Sequence, residues 1–390
     1  MKNNERLVQL YFELGLSYTE ILNFLAIVHQ VIISKSTLKR TLKRLRLTRR
    51  KKYSDVCDVA LFILNELQNS GQLHGYKWMH NKCKLSGLTV SRDTVYHLMK
   101  ILDPDGILKR KRIRLHRRQY VSNGPDNVWH IDSYDKMKPY GIAINGCIDG
   151  FSRNVIWLEA NSTNSDPKVI ADYYIKAVQR RRGCPQRIRA DMGTENVYIE
   201  QVQKFLRRNY IDAQSGEKSF IYGKSTHNQR IEWFWGILRK EVGQFWMALF
   251  ADMANCIGET TFCGTFLDKN LVQFCFMDII QKDLDNLVEI WNTHTISGGK
   301  DMHGGNRPIM LYSLPELYNK QHCHCYADET EITACSEETT PKAEFSCDET
   351  VRDLRLLLME EDRYESPRDS EEAKKLYIHL RGKVFNRTYF

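Results

Sequence analysis

The sequence predicts an α/β fold, in which a mixed β-sheet is flanked by helices and preceded by all-α units. Short apolar runs at 128–132 and 187–190 have the composition of strands. The run 140–148 is apolar at almost every position, which is typical of a strand buried on both faces. Longer segments with apolar residues at helical spacing separate these runs and fill the first hundred residues.

Composition limits the class of protein. The chain has 390 residues, 42% hydrophobic and 27% charged, which suits a globular protein of two or three domains. It contains no apolar run of 18 residues, so we expect no membrane span and no membrane partner. The first residues lead into no secretory segment, and the eleven cysteines lack paired spacing. We therefore expect reduced, mostly buried thiols.

Charge is distributed unevenly along the chain. Residues 1–120 contain 24 basic and 9 acidic side chains, a net charge of +15. Residues 121–325 contain 23 of each and are neutral, whereas residues 326–390 carry a net charge of −6. A strongly basic first third indicates a polyanionic partner, and double-stranded DNA is the partner that we expect.

Residues 5–47 are predicted to form a compact three-helix unit. Ser17 and Glu20 have the spacing of a capping box at the start of the second helix. The third helix starts at Ser34 or Ser36, and Leu38, Leu42 and Leu45 form its buried stripe. Its outward side chains are basic, as are those that follow it: Lys39, Arg40, Lys43, Arg44, Arg49, Arg50, Lys51 and Lys52.

This basic face fits a recognition helix in a DNA major groove. The alternative interpretation is a solvated basic helix. The basic run at 49–52 favours DNA.

Residues 54–120 are predicted to repeat this organisation. One helix includes 59–64, a second starts at Gly75 and a third is capped by Ser91. A basic linker follows, with Lys109, Arg110, Lys111 and Arg112. It could follow a DNA backbone, act as a nuclear import signal, or do both.

The middle of the chain alternates strands and helices. We expect 155–158 to be the hairpin partner of the strand at 140–148. Pro167 marks the first position of a helix whose inner stripe is Val169, Ile170, Tyr173, Tyr174 and Ala177. Further helices are predicted near 197–208 and 272–291, and two late ones near 351–361 and 370–380. In the helical run 227–238 we expect one inward face and an adjoining polar strip. The inward face is Ile231, Phe234, Trp235 and Leu238, and the strip is Asn228, Gln229, Glu232, Gly236 and Arg239.

Three acidic residues stand in three different local settings. Asp132 ends a strand, Asp191 opens a turn after another strand, and Glu232 lies in the helical run 227–238. They can converge if the sheet places the two strand ends side by side. Grouped carboxylates repel one another unless a cation binds them, and oxygen ligands suit Mg²⁺ or Mn²⁺. Asp135, Asp149 and Glu195 are competing candidates, although the last two fit turn and capping roles.

This ordered set resembles the D,D-E family of retroviral integrases and cut-and-paste transposases. The intervals are 58 and 40 residues, and the matching segments are 129–132 (WHID), 148–153 (IDGFSR) and 191–196 (DMGTEN). The resemblance is close over 125–250 and weak to about 320. It implies a ribonuclease H-like fold and catalytic, metal-binding roles for Asp132, Asp191 and Glu232. Two Mg²⁺ or Mn²⁺ ions would serve DNA cleavage and strand transfer.

The resemblance also shapes the predicted domains. The segment before the core resembles the helix-turn-helix region of bacterial insertion-sequence transposases, and it lacks the zinc module of retroviral integrases. We predict helix-turn-helix DNA binding at 1–53, a second such unit with its linker at 54–120, the catalytic core at 121–320 and an acidic, partly helical tail at 321–390. Lys224 and Arg230 flank Glu232 and are candidate phosphate ligands, with plain surface charge as the alternative.

The sequence therefore predicts a DNA integrase or transposase that forms homo-oligomers on DNA in the nucleus. Two alternatives stay open: a host-adopted descendant that binds DNA without moving it, and a structure-selective nuclease of the same fold. A zinc site at 322–325 (HCHC) is a further alternative, but its spacing does not match a zinc knuckle.

Overall fold

The computed structural model describes residues 3–48, 53–69, 71, 74–104, 122–224, 227–255, 261–296, 306–345 and 347–388. The chain divides into two compact units. The first unit comprises Met1–Asn127, Asp149–Asn154 and Glu289–Cys323, and the second comprises Val128–Ile148, Val155–Val288 and His324–Phe390. Two predicted groups of DNA-binding residues, at 49–52 and 109–112, lie outside the described residues. None of the described helices is long and apolar enough to cross a bilayer.

The first unit begins with the predicted three helices, α1 (Asn3–Glu13), α2 (Tyr18–Ile27) and α3 (Lys35–Arg44). The capping box of Ser17 and Glu20 is present, and Ser34 rather than Ser36 caps α3. Their apolar faces pack into one core with a later helix of the same unit. That core contains Val8, Tyr11, Leu16, Ile21, Phe24, Leu25, Leu38, Leu42, Met310 and Leu314.

Three further helices follow, α4 (Val56–Gln68), α5 (Tyr76–Leu85) and α6 (Arg92–Leu102). Ser91 caps α6 through a hydrogen bond from the Thr94 amide, as the sequence predicts. Their separate core contains Val59, Ile63, Met79, Cys83, Val90, Val95 and Met99. The N-terminal region is therefore all-helical, and its helix-turn-helix function stays a prediction.

A five-stranded mixed sheet is the centre of the second unit. The strands of the described chain are β1 (Val128–Tyr134), β2 (Ala143–Asp149), β3 (Val155–Asn161), β4 (Gly183–Cys184), β5 (Arg187–Ala190), β6 (Phe220–Tyr222) and β7 (Cys325–Tyr326). The five-stranded sheet has the order β3-β2-β1-β5-β6, and β4 pairs with β7 in a separate small sheet. β5 runs parallel to β1 and to β6, whereas β3 is antiparallel to β2.

One strand boundary differs from the prediction. We expected a strand from residue 140, but β2 begins at Ala143 because Asp135–Tyr140 forms a 3-10 helix. Gly141 ends that helix with φ +86°, and a Cβ there would lie 2.8 Å from Lys269 Cβ. Only glycine combines this backbone conformation with such a close approach.

Helices cover the sheet. They are α7 (Pro167–Arg181), α8 (Val197–Leu206), α9 (Gln229–Leu238), α10 (Gln244–Asn255) and α11 (Phe266–Thr293). A separate helix, α12 (Pro308–Ser313), belongs to the first unit. Asp166 caps α7 with Pro167 at its first position, and the predicted inner stripe of α7 is buried. A mixed sheet flanked by helices and preceded by an all-helical region confirms the predicted fold class.

The acidic C-terminal segment packs into the second unit. It forms α13 (Glu329–Glu337), α14 (Glu349–Asp362) and α15 (Ser370–Thr388). Asp268 of α11 is buried and accepts hydrogen bonds from Arg381 Nε at 2.7 Å and Tyr377 Oη at 3.2 Å. Arg355 of α14, also buried, donates to the Asn270 carbonyl oxygen at 2.5 Å. These buried polar contacts fix the segment on α11.

Candidate active site

Asp132 lies on β1 and is held by the helix that carries the predicted glutamate. The Trp235 Nε1–H donates a hydrogen bond of 2.8 Å to Asp132 Oδ2, and Trp235 is itself buried. The indole ring fits because residue 146 is glycine: a Cβ there would lie 2.8 Å from Trp235 Cη2. The Trp235 side chain therefore fixes one carboxylate oxygen of Asp132.

Asp191 directly follows β5, the parallel neighbour of β1. The register pairs Val128 with Arg187 and His130 with Arg189. Because parallel strands end at the same edge of a sheet, the end of β5 lies beside the part of β1 that carries Asp132. Asn196 Nδ2–H donates to Asp191 Oδ1 at 3.3 Å, which orients the second aspartate.

Glu232 is exposed on the first turn of α9, and a buried asparagine fixes the start of that helix. Asn228 Nδ2–H donates to the Ile131 carbonyl oxygen at 2.8 Å, so its Oδ1 faces His130. The His130 Nδ1–H then donates to Asn228 Oδ1 at 2.7 Å, because an amide oxygen only accepts. The two bonds tie α9 to the residues that precede Asp132.

The predicted faces of α9 are largely confirmed. Ile231, Phe234, Trp235 and Leu238 are buried, and Gln229, Glu232, Gly236 and Arg239 are exposed. The prediction was wrong for Asn228, which we placed on the polar strip and which is only 1% exposed. Its two partners on β1, rather than helical periodicity, determine its position.

Electrostatics show that the three carboxylates lie within range of one another. Burial raises the pKa of Asp132 to about 7, the Trp235 and backbone hydrogen bonds oppose this, and the charges of Glu232 and Asp191 add to it. Burial, and then Asp191, raise the pKa of Glu232. Burial lowers the pKa of His130 to about 3, so this imidazole is neutral. The site thus accumulates negative charge that a cation would stabilise.

The donor set fits a hard divalent cation. Carboxylate oxygens are the ligands that Mg²⁺ and Mn²⁺ prefer, and a cation would relieve both the repulsion and the cost of burying Asp132. Within the described residues, no three His, Cys, Asp or Glu side chains are close enough together to hold one ion jointly. The carboxylates therefore have suitable chemistry for a divalent cation, but in the described residues they are not arranged as a three-ligand site.

Two competing acidic residues have separate roles in the fold. Asp149 accepts hydrogen bonds from the Ser152 amide and hydroxyl, both at 2.7 Å, and so closes a turn as predicted. The Glu195 carboxylate folds back over Gly193, where a Cβ would lie 2.1 Å from Glu195 Oε1. Burial and then the charge of Asp191 raise the Glu195 pKa, which places a fourth carboxylate beside the site.

The predicted cationic residues are exposed to different degrees. Lys39, Arg40 and Lys43 extend from the outer face of α3, and Arg44 on that face forms an ion pair with Glu5 of α1. In the second unit, Lys224 is exposed. Arg230 is half-buried and acts electrostatically on His130.

The site also depends on three residues whose contacts were not predicted from the sequence. Trp235, Asn228 and Asn196 hold the carboxylates or their helix, yet we assigned Trp235 only to the core. Their roles depend on neighbours that are distant in the chain, so no local pattern indicates them.

The five-stranded mixed sheet, its flanking helices and the all-helical region before it are consistent with a ribonuclease H-like integrase core, a polynucleotidyl transferase-like fold. A family model described as integrase core domain matches residues 119–322, a little over half of the chain. The protein belongs to this family, within the D,D-E integrase and transposase superfamily. No match to a curated protein was found.

Proposed function

We propose that this protein is a DNA integrase or transposase that cleaves DNA and joins a DNA end to a target strand. The observation that supports the proposal is that Asp132 and Asp191 lie at neighbouring positions of the parallel strands β1 and β5, and that Glu232 of α9 acts electrostatically on Asp132. Membership of the integrase core family gives the general class of function. The carboxylates add the specific chemistry.

Asp132, Asp191 and Glu232 would hold two Mg²⁺ or Mn²⁺ ions, which stabilise charge on the entering and leaving oxygens of a phosphodiester. The nucleophile of the first step would be water, which leaves a free 3′-hydroxyl group. That hydroxyl would then attack the target strand. Trp235 keeps one oxygen of Asp132 in a fixed direction, and Asn228 keeps α9 in place on β1. Such fixed side chains reduce the reorganisation that the reaction requires.

Conservative replacement of each carboxylate tests the proposal. Asp132→Asn, Asp191→Asn and Glu232→Gln should each abolish Mg²⁺- or Mn²⁺-dependent nicking and joining of a DNA end. Circular dichroism and thermal melting should show that the variants fold. Asp278→Asn, at an exposed position on α11, is the matched control and should retain activity. Full activity in any of the three variants, or in excess chelator, would refute the catalytic assignment.

The basic face of α3 supports a role for the first unit in binding double-stranded DNA. Lys39, Arg40, Lys43 and Arg44 lie on one exposed helical face, and Leu38 and Leu42 are buried on the other. Strand transfer joins two DNA ends to a target, so we propose a homo-oligomer assembled on DNA. We also propose that the protein acts in the nucleus, because its DNA substrates would be there and the basic linker could serve as a nuclear import signal.

The alternative function is DNA binding without transposition. Three intact carboxylates favour the enzyme, because DNA binding alone does not require an acidic side chain at positions 132, 191 and 232. Light scattering with end-mimicking DNA in Ca²⁺ separates the two functions. A strict complex of one protein with one DNA, with no joined product in Mn²⁺, would support the binder.

A further inference from the structure

Two cysteines face each other across the small sheet of the second unit. Cys184 of β4 is the register partner of Cys325 of β7, and the next pair is Gly183 with Tyr326. Opposed residues of antiparallel strands have Cα atoms about 4.5–5.5 Å apart. A disulfide spans Cα atoms about 4.4–6.8 Å apart. The opposed positions of these two residues are therefore compatible with a disulfide bond.

The two side chains are directed to the same side of the small sheet. Opposed residues of an antiparallel pair point to the same face of the sheet. Cys184 is fully buried and Cys325 is only 5% exposed. Both lie near the buried ring of Tyr174, together with Cys147 and Cys335. Of these four thiols, Cys184 and Cys325 are the pair on opposed strand positions.

The surrounding contacts hold the two strands close together. A Cβ at Gly183 would lie 2.3 Å from His324 Nε2 and 2.4 Å from the Cys325 carbonyl oxygen, so the approach requires glycine. The Gln203 side chain donates to the Pro185 carbonyl oxygen at 2.9 Å, directly after Cys184. These contacts leave little space between the two strands at the positions of the two cysteines.

We propose that Cys184 and Cys325 are a redox-modification site that forms a reversible disulfide with a small-molecule disulfide, such as oxidised glutathione, as the oxidant. Cys325 is the more exposed of the two, and it reaches the oxidant when the two-residue strand β7 opens locally. Its thiolate attacks the oxidant, the S–S bond of the oxidant breaks and one glutathione thiolate leaves. The second cysteine thiolate then attacks the mixed disulfide and displaces the other glutathione thiolate. The two cysteine protons pass to the two released thiolates, so two glutathione thiols form for each protein disulfide.

The bond would link two parts of the second unit that bear on the site. β4 leads directly into β5, which ends at Asp191, and β7 starts the acidic C-terminal segment. The closed loop contains about 140 residues. A disulfide across a loop of this length restricts the unfolded chain strongly, so the oxidised protein should melt at a higher temperature.

Peptide mapping of the full-length protein tests this proposal. The protein is equilibrated with defined ratios of oxidised to reduced glutathione, trapped with an alkylating agent and digested for mass spectrometry. We expect a Cys184–Cys325 cross-linked peptide, faster migration on non-reducing gels and a melting temperature several degrees higher. All three changes should reverse with a thiol reductant.

Variants provide the matched control. Cys184→Ala and Cys325→Ala should each remove the cross-link and the melting shift, whereas Cys57→Ala, at an exposed cysteine in the first unit, should keep both. If an alanine variant fails to fold, peptide mapping of the unaltered protein still shows whether the Cys184–Cys325 cross-link forms. Full alkylation of Cys184 and Cys325 in the oxidised sample, or cross-links formed through Cys335 instead, would overturn the proposal.

Discussion

The carboxylate site of the second unit and the basic face of α3 in the first unit hold their charges in opposite ways. Asp132 is half-buried and bonded to Trp235, and α9 is tied to β1 by Asn228. Lys39 and Lys43 are exposed side chains on a short helix. Phosphate binding tolerates mobile cations, whereas bond cleavage requires fixed atoms. The carboxylate site therefore depends on the neighbouring side chains that fix its atoms, whereas the basic face of α3 depends on its net positive charge.

Removing the charge of α3 should cause the largest change. The full-length variant with Lys39, Arg40, Lys43 and Arg44 all replaced by alanine should lose at least about 100-fold in affinity for duplex DNA near physiological salt. Its log–log salt slope should fall by about 3 to 4, at roughly 0.9 for each phosphate contact. Fluorescence anisotropy at several salt concentrations measures both quantities.

A double variant on α15, Lys374→Ala with Lys375→Ala, controls for net charge. If it weakens binding as much as the α3 variant does, the α3 face has no special role in binding.

Trp235→Phe should impair the carboxylate site of the second unit. It removes the hydrogen bond to Asp132 and keeps an aromatic ring in the core. Loss of a group that orients a metal ligand typically costs about 10–100-fold in activity or metal affinity. We expect that loss in strand joining, with DNA affinity unchanged. Trp233→Phe, a partly buried position on the same helix, should behave like the unaltered protein. Equal losses in both variants would point to general destabilisation.

A smaller effect should distinguish two neighbouring cations on α3. Arg44 is paired with Glu5, whereas Lys43 is an exposed side chain on the same turn. Because binding DNA would exchange one partner of Arg44 for another, Arg44→Ala should weaken DNA binding less than Lys43→Ala, by a few-fold. Glu5→Gln should strengthen binding slightly. Identical losses for the two single variants would show that the ion pair does not compete with DNA.

The smallest effect concerns stability and pH in the metal-free protein. The pKa of Asp132 is raised to about 7 in the folded chain, from its ordinary value near 4. Between these values the folded state binds the extra proton, so stability falls as pH rises from about 4 to 7. Asp132→Asn removes that loss and can still accept the Trp235 hydrogen bond.

In chelator we therefore expect Asp132→Asn to melt several degrees higher than the unaltered protein at pH 8, and no higher at pH 4. Differential scanning calorimetry at both pH values measures this difference. Asp278→Asn, whose carboxylate is solvated, should shift neither melting temperature. A gain at pH 4 equal to that at pH 8 would show that the buried charge is not its cause.

Local patterns predicted much of the fold. The capping box at Ser17, the cap at Ser91 and Pro167 at a helix start depend on nearest neighbours, so sequence alone places them well. The buried face of α9 follows from helical periodicity, because apolar residues three and four apart share one face. The boundary at Tyr140 was wrong because Asp135–Tyr140 forms a 3-10 helix that ends at Gly141, and the apolar run beginning at Tyr140 does not indicate that helix.

By itself, then, the sequence determined the fold class and the order of Asp132, Asp191 and Glu232, because strand and helix patterns and their spacing are written locally. Only the tertiary structure decided which groups hold those carboxylates and which thiols face each other. Trp235 meets Asp132 across 103 positions of the chain, and β4 and β7 become neighbours only after the second unit has folded. Such contacts arise from packing between distant segments, and no short stretch of sequence encodes the distance between two side chains.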